Sequence, residues 1–219
     1  MRSHLTPAMV SRFRRALLRW GRKNRRTFPW RNEHDPFRVL VAEVLLQRSR
    51  GTTVAAVYED LFSRWSRPED LADASIEELS DTIRPLGLVG RAKHLKALSA
   101  RIHELGAVPR EASTLTRLPG VGTYAANATL VAAFNKPVPV VDGVTARVYR
   151  RYFNLESDLP PVADPDLWRL VAEVSPRSVA RDWNWAVLDL ASAICMPKVP
   201  RCESCPLESQ CAYGQRRRQ

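Results

Sequence analysis

The sequence lacks any long apolar segment. No run of eighteen apolar residues is present, and the N-terminal region has no apolar core of the kind that signal peptides carry. Neither a membrane-spanning helix nor a secretory leader is therefore predicted. We expect a soluble protein of the cytoplasm.

Convincing β-strand patterns are also missing, as are internal repeats and low-complexity segments. Apolar residues instead recur at helical spacing in many segments. The predicted helices cover residues 13–20, 37–47, 52–65, 91–105, 110–118, 123–134, 165–174 and 181–194, and a capping box at residues 75–78 opens another. At 219 residues and 45% hydrophobic, the chain can bury one good core or two small ones. The predicted fold class is all-α.

Acidic residues are outnumbered by basic ones, 23 against 34, and the net charge is +11. Such a composition suits a polyanionic partner, and nucleic acid is the leading candidate. Part of this charge lies early in the chain, where Arg12, Arg14, Arg15 and Arg19 stand among helically spaced apolar residues. Phosphate contact and ordinary solvation are both open for these arginines.

The stretch LPGVGTYAANATLVAAFNKPVPVVD, residues 118–142, combines a glycine turn, a helix and a carboxylate. Pro119 breaks the preceding helix, and the two glycines that follow permit a tight turn. The next helix is small and apolar nearly all round, which predicts burial, and Pro137 ends it. Its N-terminus could offer free backbone N–H groups to a phosphate, although an isolated PGVG segment is as often a turn that binds nothing.

Cysteine is scarce, and its four occurrences lie within seventeen residues at the spacing C-x6-C-x2-C-x5-C. They are Cys195, Cys202, Cys205 and Cys211. Four thiolates can hold a zinc ion or an iron–sulfur cluster, and the spacing alone does not separate the two. Two disulfides are a third option, which the absence of a secretion signal disfavours.

Together these motifs resemble the helix-hairpin-helix DNA glycosylases, the superfamily of endonuclease III and the MutY adenine glycosylases. In that superfamily LPGVG is the hairpin that clamps the DNA backbone, and the aspartate of a following VVDG is catalytic. The resemblance implies DNA contacts at Leu118, Gly120, Val121 and Gly122. It covers nearly the whole chain and implies a six-helix domain at residues 32–138, with a second helical domain formed by residues 1–31 and 139–219.

The cysteine spacing matches the 4Fe–4S loop of the endonuclease III and MutY group. The resemblance therefore implies a structural cluster as cofactor. It also implies that Lys198 and Arg201 of the same loop contact DNA phosphates.

Cleavage of an N-glycosidic bond builds positive charge on the sugar and negative charge on the departing base. On the resemblance, Asp142 stabilises the sugar cation and activates water, and Glu43 of the segment AEVLLQRS contacts or protonates the base. Each has a simpler interpretation. Asp142 has the position of an ordinary helix N-cap, and Glu43 could be a surface residue paired with an arginine.

Tyr124 discriminates between types of enzyme. Bifunctional endonuclease III-like enzymes carry lysine here, and its amine forms a Schiff base with the sugar. A tyrosine cannot form that imine, so we predict a monofunctional enzyme that leaves an abasic site. Tyrosine at this position resembles the Mig-type thymine–guanine mismatch glycosylases, although a packed aromatic residue on a buried helix remains an alternative.

The target base must leave the duplex before it is cut. The resemblance assigns Gln47 to fill the gap and Leu88 to wedge into the stack. Arg48, which follows Gln47, is near enough in sequence to contact the orphan guanine. A helix-end glutamine or a lone exposed leucine otherwise needs no explanation.

The resulting hypothesis is a monomeric, nucleoid-associated DNA glycosylase of base excision repair, which removes thymine or uracil mispaired with guanine. The chain stops soon after Cys211, so we expect no counterpart of the MutY domain that recognises oxidised guanine. Two alternatives are an adenine glycosylase of truncated MutY type and a DNA-binding module without catalysis that recognises distorted duplex. An apurinic-site lyase is a third, which Tyr124 disfavours.

Overall fold

The computed structural model describes residues 5–87 and 90–218, and within these residues it contains helices, turns and loops but no β-strand. The α-helices are α1 Pro7–Asn24, α2 Pro36–Leu46, α3 Gly51–Arg64, α4 Pro68–Asp73, α5 Ile76–Ile83, α6 Arg91–Leu105, α7 Ala112–Leu115, α8 Thr123–Phe134, α9 Gly143–Phe153, α10 Pro165–Val174, α11 Ala180–Ala193 and α12 Ala212–Arg218. The predicted all-α class is confirmed. No helix in the described ranges is long and apolar enough to cross a membrane.

The chain divides into two compact units. One is continuous, residues 27–134, and the other combines residues 1–26 with residues 135–219. The sequence placed the corresponding boundaries at 31/32 and 138/139.

The continuous unit is built around α2 and α8, which pack against each other. Burial extends over almost all of α2 and over residues 125–132 of α8. Helices with apolar residues on every side must be enclosed by other elements, and here α3 and α6 also cover α2.

The discontinuous unit is organised by the packing of α1 on α11. Gly21 makes the approach of the two helices possible, because a Cβ atom there would lie 2.5 Å from Ala186 Cβ. Phe13 lies at the centre of an aromatic cluster, with its ring centroid 4.5 Å from that of Tyr152 and 5.4 Å from that of Trp183. The first segment of the chain is thereby bound into the same core as its last third.

Capping signals located several helix ends correctly. Ser75 Oγ accepts a hydrogen bond from Glu78 N at 3.1 Å, and Glu78 Oε2 accepts one from Ser75 N at 3.1 Å, which is the predicted capping box of α5. Asp164 caps α10 as predicted, accepting a hydrogen bond from Leu167 N at 3.0 Å.

The predicted first helix of the hairpin, residues 110–118, was too long. Only Ala112–Leu115 is α-helical. The next residues make hydrogen bonds between positions three apart instead of four. Arg117 N donates to Thr114 O at 3.2 Å, and Leu118 N donates to Leu115 O at 3.0 Å. Proline disfavours helical geometry in the residue before it, and Pro119 imposes this restriction on Leu118.

Candidate active site and nucleic-acid interface

The hairpin turn spans residues 118–121. Val121 N donates to Leu118 O at 3.1 Å, proline occupies the second position, and Gly120 in the third has φ +74°. This is the arrangement of a type II turn, which favours glycine at the third position. A Cβ atom on Gly120 would also lie 3.0 Å from His94 Cβ. The turn therefore requires glycine for both its backbone angle and its space.

The resemblance placed four residues of this turn against DNA, and their exposure differs. Leu118 and Val121 are each 5% exposed and anchor the turn in the core of the unit, so their side chains are not available to DNA. Gly122, directly before α8, is exposed, and Gly120 is half-buried. A phosphate contact here would use main-chain N–H groups at the start of α8.

A second turn of the same type follows α2. Ser49 N donates to Leu46 O at 3.1 Å, Gln47 has φ −56° and ψ 116°, and Arg48 has φ +57°. Arginine is an uncommon residue in this left-handed region, which costs a residue with a Cβ atom about 1–2 kcal/mol. The Arg48 side chain is exposed. The fold thus holds the predicted orphan-base residue in a strained conformation at the surface.

The two turns are joined directly. Gln47 Nε2 donates a hydrogen bond to Gly120 O at 2.9 Å, which links the end of α2 to the hairpin. Gln47 is half-buried in this arrangement. The side chain predicted to fill the gap in the DNA is therefore held against the predicted phosphate-binding turn.

A buried arginine on α6 fastens the second turn. Arg91 is 8% exposed, and its guanidinium donates to Leu45 O at 2.7 Å, to Ser49 Oγ at 3.1 Å and to Gln47 O. Burial, and next the positive charge of Arg48, lower the pKa of Arg91. No local pattern in the sequence indicates this role, because the bonded carbonyl groups lie more than forty residues away in the chain.

Two predicted catalytic residues belong to the continuous unit. Glu43 is 7% exposed on α2, which excludes the alternative of a surface glutamate. Tyr124 is half-buried at the second position of α8. Because α2 packs on α8, the two residues stand on neighbouring helices. Leu88 lies outside the described residues.

Asp142 belongs to the discontinuous unit and caps α9. Its Oδ1 accepts hydrogen bonds from Val144 N at 3.0 Å, Thr145 N at 2.7 Å and Thr145 Oγ1 at 2.8 Å. Within the described part of the chain, Oδ2 accepts no hydrogen bond. The interpretation as an N-cap is therefore correct for one oxygen, and it leaves the other available for chemistry.

The four cysteines line a single cavity, together with Arg151 and Tyr213. Burial raises the pKa of the Cys205 thiol to about 12, and the neighbouring cysteines act in the same direction. The Cys205 thiol is therefore protonated at neutral pH, and a metal that binds it must displace this proton. In residues 5–87 and 90–218, no three His, Cys, Asp or Glu side chains are close enough together to hold a single metal ion.

Two arginines of α9 bind the start of the segment that carries the four cysteines, residues 195–211, which we name the cysteine loop. Arg147 Nε donates to Cys195 O at 2.6 Å, while Arg151 donates to Met196 O at 2.8 Å and to Cys195 Sγ at 3.4 Å. The helix that Asp142 caps is thus bound to the loop that carries the cysteines. The sequence did not single out these arginines; their i, i+4 spacing indicates only that they share one face of α9.

The two other predicted loop residues are accessible. Lys198 and Arg201 are both exposed, on the segment between the first two cysteines. Neither makes an ion pair with another described residue. Their charge is available to an anionic partner.

These features define a helical protein with a hairpin turn, a capping aspartate and a four-cysteine loop. Residues 41–173 match the model of the HhH-GPD superfamily of base excision DNA repair proteins. The chain belongs to this superfamily, which confirms the predicted DNA glycosylase class.

Individual relatives extend the likeness over the whole chain. A thymine/uracil-DNA glycosylase of Pyrobaculum aerophilum is 38% identical, over 99% of this chain and 99% of its own. The structure of a thermostable thymine-DNA glycosylase superposes with a TM-score of 0.90 at 32% identity, covering 95% of this chain and 98% of that one. The structure of a trapped covalent complex of endonuclease III with DNA superposes with a TM-score of 0.82 at 27% identity, covering 98% of this chain and 100% of that one. The predicted resemblance to thymine–guanine mismatch glycosylases is confirmed.

Proposed function

We propose that this protein is a monofunctional DNA glycosylase that hydrolyses the N-glycosidic bond of thymine or uracil mispaired with guanine. The substrate follows from its similarity to the Pyrobaculum thymine/uracil-DNA glycosylase along the full length of both chains. The observation that carries the mechanism is the different bonding of the two carboxylate oxygens of Asp142. Oδ1 caps α9, whereas Oδ2 has no hydrogen-bond partner among the described residues.

In this mechanism, Asp142 stabilises the positive charge that develops on the sugar as the base departs. Three hydrogen bonds to Oδ1 fix the carboxylate before the substrate arrives, so little reorganisation is needed during the reaction. The same carboxylate then assists the addition of water. Glu43, enclosed on α2, binds or protonates the departing base.

Tyr124 determines the product. Strand cleavage by this superfamily requires an amine that attacks the sugar and forms a Schiff base, and tyrosine has none. The proposed product is therefore an intact strand with an abasic site. Tyr124 itself is expected to contact the extruded nucleotide from the start of α8.

The residues of the two turns are proposed to hold the opened duplex. The backbone at Gly120 and Gly122 binds a phosphate, Gln47 occupies the space that the extruded base leaves, and Arg48 contacts the orphan guanine. Leu88 would enter the stack from the other side. A mispaired base costs less to extrude than a paired one, which favours the mismatch over normal DNA.

We propose that Cys195, Cys202, Cys205 and Cys211 hold a 4Fe–4S cluster. The proposal is supported by their common cavity and by their spacing C-x6-C-x2-C-x5-C. When bound, the cluster supplies structural order to the loop, whose Lys198 and Arg201 contact DNA phosphates. Visible absorbance, together with iron and sulfide analysis, would distinguish a cluster from zinc, whose filled d shell gives no colour.

Single-turnover base release tests the function. Duplexes containing T:G, U:G, A:G, adenine opposite 8-oxoguanine, and an oxidised pyrimidine are treated with the protein, each with and without alkali. Alkali-dependent cleavage at T:G and U:G is expected, since alkali breaks only the abasic strand. Cleavage confined to adenine would identify a truncated MutY-type enzyme. Binding without product on every duplex would identify a non-catalytic module.

A further inference from the structure

Three arginines on α1 have no role in the proposed chemistry. Arg12, Arg15 and Arg19 follow one another at three and four residues, so they share one face of the helix. All three are exposed, and none of their side chains makes a hydrogen bond or ion pair with another described residue. We name this cluster the arginine face.

Arg14 of the same helix, in contrast, has a structural role. It donates hydrogen bonds to Glu173 O and to Val174 O, both at 2.8 Å, at the end of α10. Cations near a helix C-terminus stabilise it through the helix dipole. Arg14 thus has a structural role, whereas the described residues provide no such hydrogen-bond partners for the arginine face.

The arginine face lines a cavity of about 290 Å³. The remaining wall of this cavity includes Tyr152 of α9 and two polar residues of the cysteine loop, Ser209 and Gln210. Guanidinium groups, a hydroxyl group and an amide are all donors to phosphate oxygens. The cavity therefore has the donor set of an anion site.

Within the part of the chain that the structure describes, no carboxylate forms an ion pair with these arginines. No acidic residue lines the cavity among the described residues, and the first 32 residues of the sequence contain neither Asp nor Glu. Glu208, next to Ser209, is bonded to Arg218 at 2.6 Å. The three guanidinium groups repel one another in the folded protein, because like charges repel. An anion that binds between them reduces this repulsion.

We propose that the arginine face binds phosphates of the DNA backbone, in addition to those at the hairpin turn. This inference rests on the proposed function, which makes DNA the polyanion that the protein meets. Tyr152 stands ten residues after Asp142 on α9, or about 15 Å along the helix axis. The face therefore contacts phosphates away from the reacting sugar and lengthens the footprint on the duplex without taking part in base release.

The salt dependence of DNA binding tests the proposal. Each phosphate contact contributes about 0.9 to the slope of log K against log salt concentration. The variant R12Q/R15Q/R19Q should therefore lower the slope by about 2 to 3, measured by fluorescence anisotropy on undamaged and mismatched duplexes. The variant R12K/R15K/R19K keeps the charges and should keep most of the slope.

A matched control removes the same number of charges elsewhere. Arg64, Arg84 and Arg101 are exposed, and each is paired with a carboxylate one helical turn away, at 3.1, 3.1 and 2.7 Å. R64Q/R84Q/R101Q should leave the slope nearly unchanged. Equal slopes for the two glutamine variants would overturn the proposal, provided that circular dichroism shows both to be folded.

Two further measurements test whether the arginine face acts in catalysis or binds a free anion. Base release at saturating enzyme should be the same for R12Q/R15Q/R19Q as for the parent protein, and a loss of rate would show that the face belongs to the catalytic site instead. Titration with inorganic pyrophosphate tests for a free anion as ligand. Tight pyrophosphate binding with an unchanged DNA slope would contradict the proposal. The slope can be measured on undamaged DNA alone, so this test of the arginine face does not depend on whether the protein releases thymine.

Discussion

Arg91 Nη1 donates a hydrogen bond to the carbonyl oxygen of Leu45 at 2.7 Å, close to the end of α2. The same guanidinium also bonds to Gln47 O and Ser49 Oγ. One side chain thereby satisfies polar groups of the last turn of α2 and of the turn that follows it. Arg48 projects from that turn, so its position depends on Arg91.

Replacing Arg91 with methionine should lower the free energy of unfolding by about 2–3 kcal/mol, since a charged donor is lost and buried carbonyl groups are left without partners. Thermal or urea unfolding followed by circular dichroism measures the change. Replacement of Lys93, a neighbouring exposed cation on α6, is the control and should have little effect. Equal free energies of unfolding for the two variants would show that the hydrogen bonds of Arg91 do not stabilise the fold.

Replacing Arg48 with glycine should have opposite effects on stability and on specificity. Glycine adopts φ +57° without strain, so the variant should be more stable by about 1 kcal/mol. The variant also loses the guanidinium proposed to contact the orphan guanine, and its preference for T:G over T:A should fall. Unfolding curves and single-turnover rates on both duplexes measure the two effects. A variant that keeps full discrimination would exclude Arg48 from recognition of the opposite base.

Replacing Tyr124 with lysine should introduce strand-cleaving activity. The new amine would stand at the second position of α8, where the resemblance to bifunctional enzymes places the attacking group. Borohydride should then trap a covalent complex with DNA, and the strand should break without alkali. The Tyr124→Gln variant controls for loss of the ring. If no adduct is trapped while base release continues, position 124 does not face the sugar.

Asp164 predicts a pH dependence of stability. Burial by itself would raise the pKa of this carboxyl group, but hydrogen bonds from Arg150 and from Leu167 N outweigh it, and the pKa lies below the usual value. The contribution to stability is therefore present above the unfolded pKa of about 3.9 and is lost as the pH falls through the lower folded value.

The Asp164→Asn variant keeps an N-cap acceptor but removes the charge that pairs with Arg150 at 2.6 Å. Because the Arg150 side chain is about one-fifth exposed, we expect a loss of about 2–3 kcal/mol at pH 7, somewhat less than for a fully buried pair. The difference from the parent protein should narrow below about pH 4. Urea unfolding at several pH values measures it, and a difference that stays constant down to pH 2 or so would contradict the assignment.

The sequence predicted the parts of the fold that depend on local signals. Caps at Ser75 and Asp164 and the limits of α6 and α8 follow from neighbouring residues, and the structure confirms them. The hairpin turn at Gly120 also follows from proline and glycine alone. Patterns of this kind are contained within one turn of chain, so they do not depend on tertiary contacts.

Features that depend on distant partners could not be predicted. The bonds of Arg91 reach residues in another helix, and arginine at position 48 carries no signal for a left-handed backbone, which favours glycine or asparagine. The second oxygen of Asp142 is a different case. An N-cap and a catalytic carboxylate are the same residue type in the same place, and only the hydrogen bonds separate their oxygens.

The most direct test of the proposed mechanism is single-turnover release of uracil from a U:G duplex by the Asp142→Asn variant. Asparagine can still cap α9 through its Oδ1, so folding and mismatch binding should be retained, while the rate should fall by about 100-fold or more because the negative charge is gone. Asp164→Asn, the same change at another N-cap of the same unit, should leave the rate unchanged. A rate for Asp142→Asn close to that of the parent protein would show that this carboxylate only caps a helix.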